Sequence, residues 1–379
     1  MAETIFLTGA TGFIGRELLW RMLRRPEVSV LCLLRSRPGA SMSDRLNEVL
    51  DAAQPTPLTQ SQRSRVTAIS GDITQPSLGL ALGQFEELAA SVIRIVHGAA
   101  SVAFHLPLEE ARRINVDGTR RVLELAEASK SLKRFDYIST CFVCGQRSGL
   151  IGEEELDLAQ EFNNSYERSK AEAEQLMRSR RSDLPICIFR APMVAGDSRT
   201  GYASSFKVMY WPLKMMSRGY IHAAPGDPKG VVDVVPVDYF CNALEFISAD
   251  LTQRGRAFHL AAGPECSTTV SEYLDMATAA FGRRRPLLIK PVLYRAMFRP
   301  VLKVLIWGRK RDLLNKGRVY LPYLAHHAQF DTSQTRAALA ATNLRVPPIT
   351  SYFQTLINYA VRSEWGKQVS TPIATSSVA

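Results

Sequence analysis

The sequence predicts an α/β protein with a doubly wound, Rossmann-type parallel sheet and a smaller C-terminal domain. An apolar run, a glycine-rich turn and an apolar-periodic segment follow one another within the first 23 residues. Short β-branched runs then alternate with helical patterns, as in proteins that bury a parallel sheet between helices. A chain of 379 residues with 46% hydrophobic composition is long enough for one large domain and a smaller one.

The first strand is predicted at Thr4 to Leu7 and the first helix around Leu18 to Leu23, joined by the sequence TGATGFIG from Thr8 to Gly15. Glycines at this spacing allow a tight turn, close approach of a pyrophosphate to the amides, and close packing of helix on strand. The helix N-terminus then presents its N–H groups to the phosphates. A turn that needs a positive φ would explain any one of these glycines alone.

The second strand, Val28 to Leu34, is followed by Arg35 and Arg37. In NAD-specific sites an acidic residue near this point bonds the ribose 2′-hydroxyl, whereas an arginine accommodates a 2′-phosphate. The sequence has no acid there, and Arg16 adds a second cation directly after the last glycine. We therefore predict NADPH as the cofactor. The alternative is that these arginines are solvated ends of a helix and a strand.

The third strand is predicted at Val66 to Ser70, and Asp72 and Ile73 follow it. In an open α/β sheet the carboxyl ends of the strands face the ligand, so Asp72 is placed where it can reach an adenine amino group. The alternative for this aspartate is a turn or cap role.

The fourth strand, Val92 to Val96, is followed by small residues that include Ala99 and Ala100. Small side chains there leave room for a cofactor that crosses the strand ends. His97 is interpreted as a core histidine at the strand end. Asn115, in the next helix, is expected either to brace the active-site loop or water or simply to pack.

The fifth strand, Phe135 to Ser139, ends at Thr140, where a hydroxyl faces the predicted nicotinamide site. Beyond an acidic loop, Tyr166 and Lys170 lie four residues apart at the start of a long helix, so they share one helical face. A phenol has a reference pKa near 10, and a nearby ammonium favours its anion. This arrangement indicates acid-base chemistry.

These motifs resemble the extended short-chain dehydrogenase/reductase superfamily. TGATGFIG, GDI, HGAA, NVDGT, YIST and YERSK occur in its order and spacing over the first half to two-thirds of the chain. The resemblance implies Thr140 as hydroxyl polariser, Tyr166 as acid or base, and Lys170 as its tuner and ribose partner. The predicted cofactor-binding residues are Gly9, Thr11, Gly12, Phe13, Ile14, Gly15, Arg16, Arg35, Asp72, Ile73, Ala99, Ala100, Tyr166 and Lys170.

The sixth strand, Ile186 to Arg190, is followed by APMVAGDSRTG, Ala191 to Gly201. This run, with LLR at the end of the second strand and HGAASVAF after the fourth, resembles the thioester reductase and fatty acyl-CoA reductase branch. Ala191 departs from the family, which usually has proline there. The resemblance implies NADPH-dependent reduction of an acyl thioester, carried by coenzyme A or acyl carrier protein, to an aldehyde or alcohol.

The predicted domains are a nucleotide-binding domain over 1–196, with a return to its core at about 231–262, and a substrate-binding lid region over 197–230 and 263–369. Residues 370–379 are predicted to be a disordered tail. Apolar residues at helical spacing in the lid either form a core or line an acyl trough, with basic residues nearby for phosphate. The apolar set is Phe206, Met209, Tyr210, Trp211, Leu213, Met215 and Met216, and the basic set is Arg199, Lys207, Lys214 and Arg218.

The net charge of +11 favours anionic partners: phosphorylated cofactors, an acidic carrier protein or an anionic lipid surface. No nucleic-acid-binding signature appears, so no nucleic acid is expected. Charges interrupt the apolar stretch Leu287 to Trp307, which either packs in the core or lies on a membrane surface without crossing it.

The first strand begins almost at Met1, leaving no room for a signal sequence, so we expect a cytoplasmic protein with possible peripheral membrane contact. Six scattered cysteines suggest reduced thiols. Cys141 and Cys144 are expected to be structural, because no second pair exists for zinc and no metal is predicted.

Two other functions share these motifs. One is a dehydrogenase or epimerase of a secondary alcohol, of the hydroxysteroid or sugar-nucleotide type, and the other is a non-catalytic cofactor-sensing protein. The sequence leaves open the acyl chain, the carrier, the choice of aldehyde or alcohol as product, and the oligomeric state.

Overall fold

A seven-stranded parallel sheet forms the centre of the computed structural model, which describes residues 3–52, 56–206, 209–294, 296 and 317–368. In spatial order its strands are β3 (Val66–Ser70), β2 (Val28–Leu34), β1 (Glu3–Thr8), β4 (Arg94–His97), β5 (Arg134–Thr140), β7 (Ile186–Ala191) and β12 (Ala257–His259). The strand order reverses on the two sides of β1, which pairs with both β2 and β4. The crevice at this switch point is where doubly wound sheets bind ligands.

Helices cover both faces of the sheet, as predicted. One core contains residues of α1, α2 and α9, and the core on the opposite face contains residues of α4, α6 and α7. The helices of the first half are α1 (Phe13–Met22), α2 (Met42–Asp51), α3 (Gln60–Arg63), α4 (Leu82–Ser91), α5 (Leu108–Arg112), α6 (Gly118–Ala128) and α7 (Ser165–Arg178). Those of the second half are α8 (Tyr210–Ser217), α9 (Val237–Ala249), α10 (Gly263–Cys266), α11 (Val270–Phe281), α12 (Pro291–Leu293), α13 (Ser333–Ala338) and α14 (Phe353–Arg362).

Short strand pairs connect the sheet to the C-terminal part of the chain. They are β6 (Gly149–Ile151) with β15 (Ala328–Phe330), β8 (Met193–Ala195) with β11 (Val234–Pro236), β9 (Ala223–Pro225) with β14 (Leu287–Ile289), and β10 (Val231–Val232) with β13 (Thr268–Thr269). The pairing of β6 with β15 holds distant segments next to the end of β5, where the predicted catalytic residues lie.

A separate apolar core lies between α8, α11 and α14. Of the two alternatives for the apolar lid residues, a core or an acyl trough, the structure favours the core for most of them, because Met209, Tyr210, Leu213, Met215 and Met216 are buried. A short amphipathic helix such as α8 is stable only when its apolar face is covered, and α11 and α14 cover it. Lys207 lies outside the described residues.

The six predicted strands of the sheet are found within one residue of their predicted ends except at β4, which was predicted from Val92. Val92 instead caps the C-terminus of α4, and the strand extends to His97. The histidine therefore points into the sheet core and not into a loop.

Only the beginning of the stretch Leu287 to Trp307 is described, as far as Tyr294 together with Ala296; residues 295 and 297–316 and the predicted tail lie outside the described residues. Leu287, Val292 and Leu293 are exposed. In the part of the chain that the structure describes, no helix has the length and apolar character needed to span a bilayer.

Candidate active site

The turn between β1 and α1 is shaped by glycines that exclude side chains. Gly9 has a φ of +81°, and a Cβ there would lie 2.7 Å from the Ala99 nitrogen. A Cβ on Gly15 would lie 2.2 Å from the Gly9 carbonyl oxygen. Thr11 and Gly12 are exposed, whereas Phe13 and Ile14 are half-buried against the core, so this turn offers backbone rather than side chains to a ligand.

The first turn of α1 fits the phosphates of a dinucleotide. Its N-cap is Gly12, and no side chain caps the helix within the described chain. The amide groups at this end are therefore open to an anion, with the positive end of the helix dipole behind them.

Arg35 stands exposed directly after β2, and among the described residues it forms no ion pair, whereas Arg37 pairs with Glu48. Arg16 follows Gly15 on α1, and its Nε atom is buried with no hydrogen-bond partner in the described part of the chain. Arg16 also lies near Tyr202, whose pKa it lowers against the stronger effect of burial. An exposed arginine without a protein partner suits a 2′-phosphate.

Asp72 combines the two roles considered for it. Its Oδ1 atom accepts hydrogen bonds from the Thr74 nitrogen at 2.9 Å and the Thr74 hydroxyl at 3.0 Å, so one carboxylate oxygen closes a turn after β3. Ile73 is buried and packs against Gly118 of α6. The placement of both residues at the carboxyl edge of the sheet agrees with the prediction, and their contact with adenine stays a prediction.

The loop after β4 is fixed by Asn115. This residue lies in a π-helical turn, Arg113–Asp117, and its Oδ1 accepts from the Ser101 nitrogen at 2.8 Å. Its Nδ2 donates to the Ser101 carbonyl at 3.1 Å and to the Ser169 hydroxyl of α7 at 2.9 Å. Asn115 thus joins the half-buried loop that contains Ala99 and Ala100 to the predicted catalytic helix.

Thr140 and Tyr166 meet at the carboxyl end of β5. Tyr166 lies in the first turn of α7, which the Asn164 side chain caps by accepting from the Glu167 nitrogen at 3.0 Å. The Thr140 side chain lies close enough to the Tyr166 phenol to act on its pKa, and Thr140 Oγ1 donates to the Ala191 carbonyl at 3.0 Å. Burial raises the pKa of Tyr166 to about 12, against the effect of Thr140, so the phenol carries its proton at neutral pH.

Lys170 is buried one turn further along α7, and its ammonium does not bind Tyr166. Its Nζ donates to the Tyr137 hydroxyl at 2.7 Å and to the Ile138 carbonyl at 2.8 Å. Burial lowers the pKa of Lys170 to about 7, with Glu174 opposing that shift. The strand thus supplies the acceptors of Lys170, and its roles as tuner of Tyr166 and ribose partner stay predictions.

A buried ion pair underlies this helix. Glu174 and Arg190 are fully buried, with Nη2 of Arg190 2.7 Å from the Glu174 carboxylate. Ser139 donates to the same carboxylate at 2.6 Å. Burial alone would raise the pKa of Glu174, yet Arg190 holds that pKa at about 2. This ion pair holds α7 against β7, and it leaves the Glu174 carboxylate already bound to a cation.

An aromatic cluster that the sequence analysis missed surrounds Tyr166. The ring of Phe104 lies 5.6 Å from Tyr166 and 5.7 Å from Tyr323, and Tyr323 lies 5.0 Å from Phe142. The Tyr323 hydroxyl donates to Glu167 and accepts from Asn164, at the start of α7. Phe104 and Phe142 lie close in sequence to the predicted motifs, but nothing local indicated Tyr323, which comes from a 3₁₀ segment, Arg318–Ala325.

The other motifs are structural. Cys141 and Cys144 are buried, and burial raises the pKa of Cys144 to about 12, so both serve as apolar packing groups. Asp197 accepts from the nitrogen atoms of Arg199 and Thr200, which shapes the GDSRTG loop against α14. In the described chain, no group of three or more His, Cys, Asp or Glu side chains could hold a metal ion.

A parallel sheet with this switch point, glycine turn and helix has the architecture of the short-chain dehydrogenase/reductase type. Residues 7–244 match the family model described as male sterility protein. The chain belongs to this family, in the thioester reductase and fatty acyl-CoA reductase branch that the motifs predicted.

Two curated relatives represent the branch. A linear gramicidin synthase polypeptide of Brevibacillus parabrevis is 31% identical over 284 residues, which are 73% of this chain and 5% of that protein. The fatty acyl-CoA reductase wat of Drosophila melanogaster is 29% identical over 272 residues, 63% of this chain and 53% of that protein. The chain thus spans a small part of the synthase and about half of the reductase.

Solved structures extend the similarity over the whole chain. The terminal R domain from the myxalamid PKS-NRPS biosynthetic pathway superposes with a TM-score of 0.82 at 28% identity, covering 97% of this chain and 93% of that one. The R domain of a nonribosomal peptide synthetase from Mycobacterium tuberculosis has a TM-score of 0.69 at 23% identity, over 97% of this chain and 93% of that domain, which shows the shared fold.

Proposed function

We propose that the protein uses NADPH to reduce an acyl thioester, releasing a thiol and forming an aldehyde. The observation that carries the proposal is the position of the Tyr166 phenol next to the Thr140 hydroxyl at the carboxyl end of β5. A phenol with a pKa near 12 is a proton donor at neutral pH, which suits a reductive step.

The chemistry needs one hydride and one proton. A dihydronicotinamide cofactor held at the glycine turn would supply the hydride for the carbonyl carbon of the thioester. Tyr166 and Thr140 bind the oxygen as it gains negative charge, and Tyr166 donates its proton to it. The resulting hemithioacetal gives up its hydroxyl proton and expels thiolate, which takes a proton, so the products are aldehyde, thiol and oxidised cofactor.

The aromatic cluster around Tyr166 supplies a wall for the acyl group. The ring of Phe104 lies against Tyr166, and Tyr323 and Phe142 continue the apolar ring surface from it, while Glu167 and Asn164 bind the Tyr323 hydroxyl. Such a wall excludes water from the hemithioacetal and favours an apolar substituent over a sugar, whose hydroxyls would lack partners.

The similarity to fatty acyl-CoA reductases and to reductase domains of peptide synthetases supports a thioester substrate. Both kinds of carrier, coenzyme A and acyl carrier protein, present a phosphopantetheine arm, and the net charge of +11 suits either anion. A second hydride transfer would carry the aldehyde to the alcohol.

The test supplies NADPH with medium- and long-chain acyl-CoA or acyl carrier protein and measures cofactor oxidation together with thiol release. Tyr166→Phe should lower turnover by about two orders of magnitude or more while NADPH still binds, since general acid catalysis contributes that much. Tyr220→Phe is the control, because Tyr220 is exposed and far along the chain from the site. Thiol release that persists in Tyr166→Phe would contradict the assignment of the acid.

The same experiment includes a panel of ketones and secondary alcohols. If those compounds turn over readily and no acyl thioester releases thiol, the protein is a secondary-alcohol dehydrogenase and the thioester proposal fails. If NADPH binds but no substrate in either panel reacts, the cofactor-sensing alternative takes its place.

A further inference from the structure

A set of buried polar side chains extends from Lys170 to the strand that enters the glycine turn. Lys170 Nζ donates to the Tyr137 hydroxyl at 2.7 Å, and Tyr137 lies next to the Thr119 side chain and 5.7 Å from His97, ring centre to ring centre. Thr119 Oγ1 lies 3.1 Å from His97 Nε2, and His97 Nδ1 lies 2.7 Å from Thr8 Oγ1. These residues come from α7, β5, α6, β4 and β1, and all five are buried.

Counting donors and acceptors gives the direction of these hydrogen bonds. Thr119 Oγ1 donates its one proton to the Asn115 carbonyl at 2.6 Å, so towards His97 and the Tyr137 hydroxyl it can only accept. His97 is therefore protonated on Nε2, and its Nδ1 accepts from Thr8. Thr8 Oγ1 in turn accepts from the Ala99 nitrogen at 3.2 Å. Each of these side chains donates a single hydrogen bond. The Tyr137 hydroxyl directs its proton towards Thr119, so its oxygen is free to accept from Lys170.

The acceptors of Lys170 are neutral. Two of its three ammonium protons go to the Tyr137 hydroxyl and the Ile138 carbonyl, and one remains for a ligand or for Tyr166. The nearby carboxylate, Glu174, is already bound by Arg190 and Ser139. The ammonium also lies over the Tyr137 ring, 4.1 Å from its centroid.

We propose that Tyr137 and Thr119 are positioning residues for Lys170: they hold it in its charged form, with one proton directed at the cofactor site, and link it to the glycine turn. The inference rests on the proposed function for its catalytic consequence but not for its structural one. The sequence contains part of this pattern. Tyr137 and Ser139 lie two residues apart on β5, so they share the face of the strand that meets α7.

Among the described residues, three titratable groups interact with the Lys170 ammonium. They are Tyr137 on β5, His97 on β4 and Glu174 on α7. Burial lowers the pKa of His97 to about 3, and Tyr137 titrates well above its ordinary pKa. Near neutral pH the group among these that changes charge is Lys170 itself, so its titration reports on the acceptors around it.

The experiment titrates Lys170 in the cofactor-free protein by NMR, using lysine labelled with ¹³C at Cε and assigning the resonance by its loss in Lys170→Met. Tyr137→Phe removes an acceptor from a charged donor, so the pKa of Lys170 should fall by about one unit or more. Thr119→Val leaves Tyr137 in place but removes its partner, and a smaller shift in the same direction is expected. An unchanged Lys170 pKa in both variants would overturn the proposal.

Ser248→Ala is the matched control. Ser248 donates a buried hydrogen bond to Asp136, whose side chain points to the opposite face of β5 from that of Tyr137. The variant loses a comparable buried bond and should leave the titration of Lys170 unmoved. If the pKa of Lys170 shifts as much in Ser248→Ala as in Tyr137→Phe, a general destabilisation of β5 explains both shifts, and the positioning role is contradicted.

The kinetic measurement separates this inference from the proposed function. In Tyr137→Phe the alkaline limb of the kcat profile for thioester reduction should move to lower pH by the same amount as the NMR titration. If the titration shifts but no thioester is reduced by the wild-type protein, the proposed function fails and the positioning role stands. If thioesters are reduced and the profile of Tyr137→Phe does not move, the catalytic consequence is contradicted.

Discussion

The glycine turn and the surroundings of Lys170 lie at the same edge of the sheet, yet they are built in opposite ways. Around Gly9 and Gly15 the chain removes side chains so that backbone atoms can approach one another and a ligand. Around Lys170, side chains from five elements fill the interior and satisfy each other's hydrogen bonds. Substitutions in the glycine turn should therefore act through steric overlap. Substitutions around Lys170 should act through the loss of a hydrogen-bond partner.

The largest effect is expected at Gly15. In Gly15→Ala the new Cβ would lie 2.2 Å from the Gly9 oxygen and 2.8 Å from the Gly9 carbon, both backbone atoms. The overlap should lower the free energy of unfolding by about 3 kcal/mol, more than the gain of about 1 kcal/mol from helix propensity. Urea denaturation checks this.

Gly12→Ala is the matched variant in the same turn. Its Cβ would meet only the Gly9 oxygen, at 3.2 Å, and the position is exposed, so stability should change by less than about 1 kcal/mol. Equal stability losses in Gly12→Ala and Gly15→Ala would show that steric overlap is not what distinguishes the two glycines.

The second prediction concerns cofactor choice at the glycine-turn side. Arg35→Ala should weaken the binding of NADPH by about 1.5 to 3 kcal/mol, because a charge-assisted hydrogen bond to the 2′-phosphate is lost. The binding of NADH should remain nearly unchanged. Titration calorimetry with both cofactors measures the difference, and Arg37→Ala is the control because Arg37 already pairs with Glu48. If the wild-type protein binds NADH more tightly than NADPH, the prediction is contradicted.

The third prediction concerns the polar interior. Burial lowers the pKa of His97 to about 3, below its unfolded value near 6.5, so the unfolded chain binds more protons between those values and stability falls as the pH drops through that window. At pH 5 the loss from His97 should be about 2 kcal/mol relative to pH 8. His97→Gln should show a correspondingly shallower fall from pH 8 to pH 5 in urea denaturation; an equally steep fall would mean that His97 does not titrate as a buried neutral group.

The smallest effect is expected at the surface, away from both regions. Exposed Leu287, Val292 and Leu293 lie close to Lys290, and we propose that this patch contacts anionic lipid. The protein should sediment with phosphatidylserine vesicles in a salt-sensitive way, and Val292→Asp should reduce that binding. Leu82→Asp is the control, since Leu82 is equally exposed on α4. Indifference of the wild-type protein to vesicles would contradict the proposal.

Local sequence patterns predicted much of the central fold. The glycine turn and the strands Val28–Leu34 and Val66–Ser70 were predicted with the bounds that the structure has, because short-range periodicity and turn chemistry depend on neighbouring residues. The position of Thr140 at a strand end and of Tyr166 and Lys170 on one helix follows from the same kind of information.

The sequence by itself determined the doubly wound sheet and the edge at which the polar groups gather, since both follow from periodicity and strand direction. Only the tertiary structure decided that Lys170 donates to Tyr137, that Tyr323 joins the start of α7 from a distant segment, and that the methionines of α8 are core. A side chain's partner depends on which distant element packs against it, and on which acceptor lies nearest once water is excluded. Neither is encoded in the spacing of residues along the chain.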